Sequence, residues 1–206
     1  MNPTQDFEII KSRVIPVLVI EDASWSLDLA STLVEAGLPI VEVTLRTKAS
    51  WDALTMMREV PGLVLAVGSV SSIEDLTRAN DLQVDFAVSA GIRSDLIEKA
   101  FELELAYIPG VSTPSEVLLG IKHGLTTLKW FPAETLGGVP ALKAISAPFP
   151  SLRFIPTGGI NSDNGRNYLE EKSVKAIGGS WMFPKQALLD KDLSTISRLA
   201  QQASLL

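Results

Sequence analysis

The sequence predicts an α/β fold, specifically a (β/α)8 barrel, and three observations carry that expectation. Eight short β-branched runs alternate with helical patterns, beginning near Val14, Ile40, Leu63, Val84, Leu105, Thr127, Arg153 and Ala176. Successive starts lie 21 to 26 residues apart, room for one strand, one helix and two tight loops. Glycine pairs, Gly158-Gly159 and Gly178-Gly179, follow the last two runs. Such alternation favours a parallel sheet covered by helices, and an open doubly wound sheet satisfies it too. The near-even pitch and the paired glycines favour closure, into a barrel at the small end of the known range.

Each element has its own signals. Residues Thr4 to Ser12 are expected to form an extra helix ahead of the first strand. The run from Val14 to Ile20 contains Pro16 and is far too short to cross a bilayer, so it reads as a buried strand. Asp22 or Ser24 opens the first helix, and Gly37 closes it ahead of the strand at Ile40. Ser72, with Asp75 three residues on, opens the third helix after the strand at Leu63. Thr113-Pro114 opens the fifth, and Gly124 sits where its C-cap belongs. Leu193 to Gln202 forms a terminal amphipathic helix. No linker, low-complexity tract or composition shift interrupts the series, so residues 1–206 are read as a single domain.

Composition narrows the function classes. With 206 residues, 46% hydrophobic and 20% charged, the chain buries a sizeable core without staples. It has no cysteine, which excludes disulfides, thiolate nucleophiles and Cys-ligated zinc. One histidine rules out a zinc site of several imidazoles. Acids near strand ends are few, Glu42 and Glu134, so a carboxylate-held magnesium has little to bind. The N-terminus carries Asp6 and Glu8 where a signal peptide needs base and an apolar core, so a cytoplasmic protein is expected. A net charge of −6 without a basic stripe argues against nucleic acid as a partner, and no run is long enough for a membrane.

Lys129 stands out among the ten lysines, because it lies inside an apolar strand, Thr127-Leu128-Lys129-Trp130-Phe131. Alternation puts Leu128 and Trp130 under helices and turns Thr127, Lys129 and Phe131 inward. Burying an ammonium ion is costly, and low polarity favours the free amine. A free amine attacks ketones to form an imine. The competing reading is a strand-end lysine that snorkels or pairs with a carboxylate.

The second strand supplies such a carboxylate. In Val41-Glu42-Val43-Thr44-Leu45-Arg46, the aliphatic residues share one face and Glu42, Thr44 and Arg46 the other. A buried glutamate needs a partner, so a structural Glu42–Arg46 or Glu42–Lys129 ion pair is one reading. In the functional reading, Glu42 exchanges protons and the Arg46 fork grips a substrate carboxylate. The loops Pro156-Thr157-Gly158-Gly159-Ile160 and Ile177-Gly178-Gly179-Ser180-Trp181 fall where barrels hold phosphate on amide hydrogens and a helix N-terminus. His123, beside Gly124, reads as a helix end. Asp22, Glu74 and Glu98 read as helix-start or surface charges, and the four tryptophans as packing.

Five segments in order, Glu42–Thr47, Ile108–Thr113, Lys129–Glu134, Pro156–Ile160 and Ile177–Trp181, resemble the 2-keto-3-deoxy-6-phosphogluconate aldolase family, also called 2-keto-4-hydroxyglutarate aldolase. The resemblance runs over nearly the whole chain. It implies a class I aldolase on a TIM barrel, usually a homotrimer, working without a cofactor or metal in the Entner–Doudoroff pathway. Such an enzyme splits the phosphorylated keto acid into pyruvate and glyceraldehyde 3-phosphate. By position, the resemblance makes Lys129 the Schiff-base lysine and Glu42 the general acid/base. It puts Arg46 and Thr157 at the pyruvyl end, and Gly158, Gly159, Gly179 and Ser180 on phosphate-binding loops.

Two motifs depart from the family pattern. Ala66-Val67-Gly68-Ser69 stands where Gly-Ala-Gly-Thr is usual, and Ser89-Ala90-Gly91 where Ser-Pro-Gly is common. Ser69 keeps the hydroxyl of a substrate-binding threonine, while Val67, Ser69 and Ala90 are expected to reshape the wall near the reacting aldehyde. The rival readings are a pyruvate aldolase for a galactonate-derived phosphate or for unphosphorylated hydroxyglutarate, a phosphate-binding barrel isomerase, and a catalytically inactive sugar-phosphate-binding protein.

Overall fold

The computed structural model describes residues 7–206. Its strands are β1 (Val14–Leu18), β2 (Ile40–Thr44), β3 (Val64–Gly68), β4 (Phe86–Val88), β5 (Tyr107–Ile108), β6 (Gly110–Val111), β7 (Thr127–Trp130), β8 (Arg153–Pro156) and β9 (Ile177–Gly179). Its helices are α1 (Ser26–Glu35), α2 (Ser50–Met57), α3 (Ile73–Asp81), α4 (Ser94–Glu102), α5 (Pro114–Lys122), α6 (Gly138–Ser146), α7 (Gly165–Leu169), α8 (Lys185–Leu189) and α9 (Leu193–Ser204). The eight expected strands begin within two residues of the predicted starts.

Every strand pairs in parallel, in a curled sheet of two ladders ordered β5-β4-β3-β2-β1-β9 and β6-β7-β8. The ladders part at Pro109, which has no amide hydrogen to donate and splits the expected fifth strand into β5 and β6. Its carbonyl still accepts from the Lys129 amide at 2.9 Å. At the other side, single bridges join Phe154 of β8 to Val174, ahead of β9, and Thr157, just past β8, to Gly178 of β9. All five residues of β1 and of β2 are buried, the mark of parallel strands covered on both faces.

Register assigns the faces. Glu42, Ala66 and Phe86 pair in sequence across β2, β3 and β4, and their side chains belong to the concave face. Val43, Val67 and Ala87 pair the same way on the convex face, beneath the helices. Leu128 is on that outer side as expected: a Cβ at Gly120 of α5 would lie 3.0 Å from its Cδ2.

The helix expected over Thr4 to Ser12 is corrected. Its first three residues lie outside the described ones, and Phe7–Ile9 forms a single 3-10 turn followed by irregular chain. Phe7 is buried edge-on against Phe86, ring centroids 6.3 Å apart. Seating Phe7 and Ile10 at the foot of the sheet outweighs local helix propensity there. Asp22 caps a 3-10 turn, Ala23–Trp25, that runs directly into α1.

The other caps form as the sequence indicates. Ser72 and Asp75 make a reciprocal capping box on α3, and Thr113 and Glu116 make one on α5, where Pro114 is the first residue. Gly37 and Gly124 take positive φ of 75° and 78° just past their helices. Ser72→Ala leaves an amide of the first turn unpaired, so it is expected to lower stability by about 1 kcal/mol. A thermal melt should fall by roughly 2–4 °C, and no shift would mean the cap is idle. Among the described residues, no helix is long and apolar enough to cross a membrane.

Candidate active site

Lys129 and Glu42 meet on the concave face. The lysine Nζ lies 3.1 Å from Glu42 Oε1 and 3.4 Å from Oε2, and the two residues are only 6% and 4% exposed. The pairing brings strands β2 and β7 together across the curl of the sheet, since 87 residues separate them. Nζ also lies 5.5 Å from the Phe131 ring centroid, a cation–π distance.

A small cavity opens beside the pair, of about 10 Å³, or room for one water. Thr157 and Gly178 line it with Lys129 and Glu42, and Ile15, Val88 and Ile155 make it otherwise apolar. An amine, a carboxylate and a hydroxyl thus share one small, enclosed pocket. That arrangement suits imine chemistry on a small carbonyl compound.

Three sequence expectations meet here, and others fall nearby. Arg46 stands beyond the end of β2, exposed, with Nε 3.4 Å from the Ser69 hydroxyl. Among the described residues it forms no ion pair with Glu42. Thr44, expected to project with them, is buried and donates to the Leu18 carbonyl at 3.0 Å. Ser69 takes a left-handed conformation, φ 62°, where β3 ends. Residues held in that region concentrate at functional sites.

The chain matches the family model for KDPG and KHG aldolase over residues 6–199. It belongs to that family. Its relatives include the KHG/KDPG aldolase of Escherichia coli K12, 42% identical over 191 residues that cover 92% of this chain and 90% of the relative. The crystal structure of the Zymomonas mobilis ZM4 2-keto-3-deoxy-6-phosphogluconate aldolase with 3-phosphoglycerate superposes with a TM-score of 0.93. It is 40% identical, covering 99% of this chain and 96% of that one. A Legionella pneumophila KDPG aldolase, solved with pyruvate captured at low pH as a covalent carbinolamine, superposes at 0.90 with 38% identity and 94% coverage of both chains.

In this member of the family, the glycines divide by task. Gly158 and Gly159 have φ of 102° and 80°, so the turn after β8 requires them. A Cβ on Gly159 would also come within 2.6 Å of Glu134 Cβ, and Glu134 is hydrogen-bonded by the Tyr168 hydroxyl. Gly178 and Gly179 correct the sequence reading: they belong to β9 itself, and only Ser180 begins the loop. Their lack of a side chain makes room for neighbours, Thr157 against Gly178 and the Trp181 ring against Gly179.

Val67 is also corrected. It is fully buried on the convex face, in register with Val43 and Ala87, and so does not shape the wall of the site. Ala90 is exposed at the end of β4, its carbonyl packed against Gly110. Ser89 holds this turn without a proline by donating to the Gly91 carbonyl at 2.6 Å, which leaves its oxygen to accept from Tyr107. Burial pushes the Tyr107 phenol up to about 12, so it stays a donor. His123 caps α5 and reaches Ser94, as its helix-end reading implies.

Gly68 is the residue that sequence reasoning missed. Any Cβ there would overlap the Glu42 carboxylate. The available signal was a glycine inside a strand, on the same face as Glu42, which marks close approach by another group.

Proposed function

We propose that this family member is a class I aldolase that cleaves 2-keto-3-deoxy-6-phosphogluconate to pyruvate and glyceraldehyde 3-phosphate, and also acts on 2-keto-4-hydroxyglutarate. The observation that carries the reading is the buried Lys129–Glu42 contact of 3.1 Å in an otherwise apolar pocket. Proton transfer from Lys129 to Glu42 within that contact frees the amine to attack C2 of the keto acid. Glu42 then returns protons through carbinolamine and dehydration. The protonated imine draws electrons as the C3–C4 bond breaks and Glu42, directly or through water, takes the C4 hydroxyl proton. The enamine left behind is protonated at C3 and hydrolysed, which releases pyruvate. Borohydride reduction in the presence of pyruvate should add one pyruvyl group per chain, located on Lys129 by peptide mapping. An adduct on any other lysine would overturn the assignment.

Arg46 and Thr157 are assigned to the pyruvyl end, with Ser69 positioning the Arg46 guanidinium. Amides around Gly158, Gly159, Gly179 and Ser180 are assigned to the phosphate, a role open to an acidic chain without a basic stripe. The positive φ at Gly158 and Gly159 supports this by letting the backbone approach an anion closely. Gly179→Val would push the Trp181 ring and Ser180 away from these positions. It is expected to raise KM for the phosphorylated substrate by about 10- to 100-fold, the worth of one or two charge-assisted hydrogen bonds. KM for hydroxyglutarate should hardly change, and equal losses for both substrates would remove the phosphate from this place.

We assign the chemistry to the lysine imine, without metal. Among the described residues no cluster of three or more His, Asp or Glu side chains stands ready for one. Exhaustive chelation is expected to leave turnover unchanged, and a loss restored by magnesium would place the enzyme in the metal-dependent class. The curled sheet is read as a closed (β/α)8 barrel of one domain, 1–206, supported by the Thr157↔Gly178 bridge and by the chain running directly from β5 into β6. A homotrimer in the cytoplasm completes the reading, on family grounds.

A further inference from the structure

We propose that the site extends into a second, apolar subsite, which takes the uncharged tail of an aldehyde acceptor. This rests on the aldolase reading above. Residues of β1 and of the turn beyond it line both. Ile15 lines the Lys129 cavity, and Val17, two residues on, is in register with Glu42. Val17 and Val19 then form one wall of a crevice of about 410 Å³, within the range of small-molecule sites. Trp25, Phe183, Leu188 and Leu189 supply the other walls, and Ser180 stands at the junction with the assigned phosphate loop.

The charges at the rim choose the occupant. Glu21 and Asp22 are offset by Lys185 and Lys191, and Asp22 pairs with Lys191 at 2.7 Å. With opposite charges balanced and Lys191 already paired, the rim offers an anion no net attraction. Leu189 is 65% exposed and extends the apolar wall to the rim. An alkyl or aryl tail carried by the aldehyde fits both facts. In the synthetic direction, the enamine carbon of lysine-bound pyruvate bonds to the aldehyde carbon, and the aldehyde oxygen takes a proton. Water then hydrolyses the imine, freeing Lys129 and a 4-hydroxy-2-oxo acid.

The test compares additions of pyruvate to 3-phenylpropanal and to propanal, saturated aldehydes with the same reacting group. The phenyl compound is expected to show kcat/KM at least about tenfold higher, as for a buried apolar group. Leu188→Glu and the solvent-exposed Leu189→Glu should each erase that preference, while addition to propanal and to glyceraldehyde 3-phosphate is maintained. Equal kcat/KM for the two aldehydes, or a preference that survives both variants, overturns the subsite. Borohydride trapping of pyruvate on the same preparations separates this failure from failure of the aldolase reading. If the unmodified protein traps no pyruvate, both fall; if trapping succeeds and no preference is seen, only the subsite does.

Discussion

Lys129→Ala is expected to trap no pyruvate and to cleave no substrate above the uncatalysed rate, because the atom that forms the imine is gone. No neighbour can substitute. Among the described residues, the ion pairs of Lys99, Lys143 and Lys191 all lie elsewhere, and only Lys129 lines the cavity with Glu42. The variant has a second effect that must be separated from the first. Glu42, 4% exposed, loses its cationic partner, and leaving a buried charge uncompensated destabilises a protein by about 3–5 kcal/mol. That is a large part of the roughly 5–15 kcal/mol that holds a typical domain together. The double variant Lys129→Ala/Glu42→Gln removes both charges and should melt higher than Lys129→Ala alone. It should still trap nothing. Near-normal turnover in either variant, or a double variant that regains activity along with stability, would show that Lys129 serves the fold and not the reaction.

What could be read from the sequence follows from what is local. Strand starts were legible because a parallel strand buried on both faces is a continuous apolar run, as in Val14–Leu18. Lys129 and Glu42 were legible because each breaks such a run, and counting by twos puts both on the inner face. The cap at Ser72 was legible because a capping box spans only four residues, and the one at Thr113 because a proline follows it directly. Errors arose where tertiary contacts decided. Phe7 and Ile10 bury themselves beneath the sheet, which holds residues 7–13 out of an α-helix. Gly178 and Gly179 looked like a turn, since a glycine needed for positive φ and one needed for close packing are the same letter. Val67 was assigned to the wall from its place in a motif, whereas its register with Val43, one residue from Glu42, already set it on the other face. The crevice was invisible, because it joins the end of β1 to α8 from opposite ends of the chain.

Glu42→Gln is expected to lower kcat by about 10²- to 10⁴-fold, the usual worth of a positioned general acid–base. Borohydride should still label Lys129, more slowly. Gly68 tests whether the position of that carboxylate matters as much as its presence. Its backbone is ordinary extended strand, so Gly68→Ala introduces no conformational strain, only a methyl group where the Glu42 carboxylate now lies. The carboxylate must retreat by about 1 Å, and a displacement of that size can cost on the order of 10²-fold in rate. Loss of kcat with little change in melting temperature is therefore expected of Gly68→Ala. Shortening the acid should relieve the overlap. In Gly68→Ala/Glu42→Asp, the carboxylate withdraws by one methylene, so the second substitution should do less harm on the alanine background than on the glycine one. Such non-additivity is what neighbours in contact show, and a merely structural role for Gly68 would leave the two rate effects multiplying independently. If Gly68→Ala turns over as fast as the unmodified enzyme, Glu42 does not act from the place where it is held.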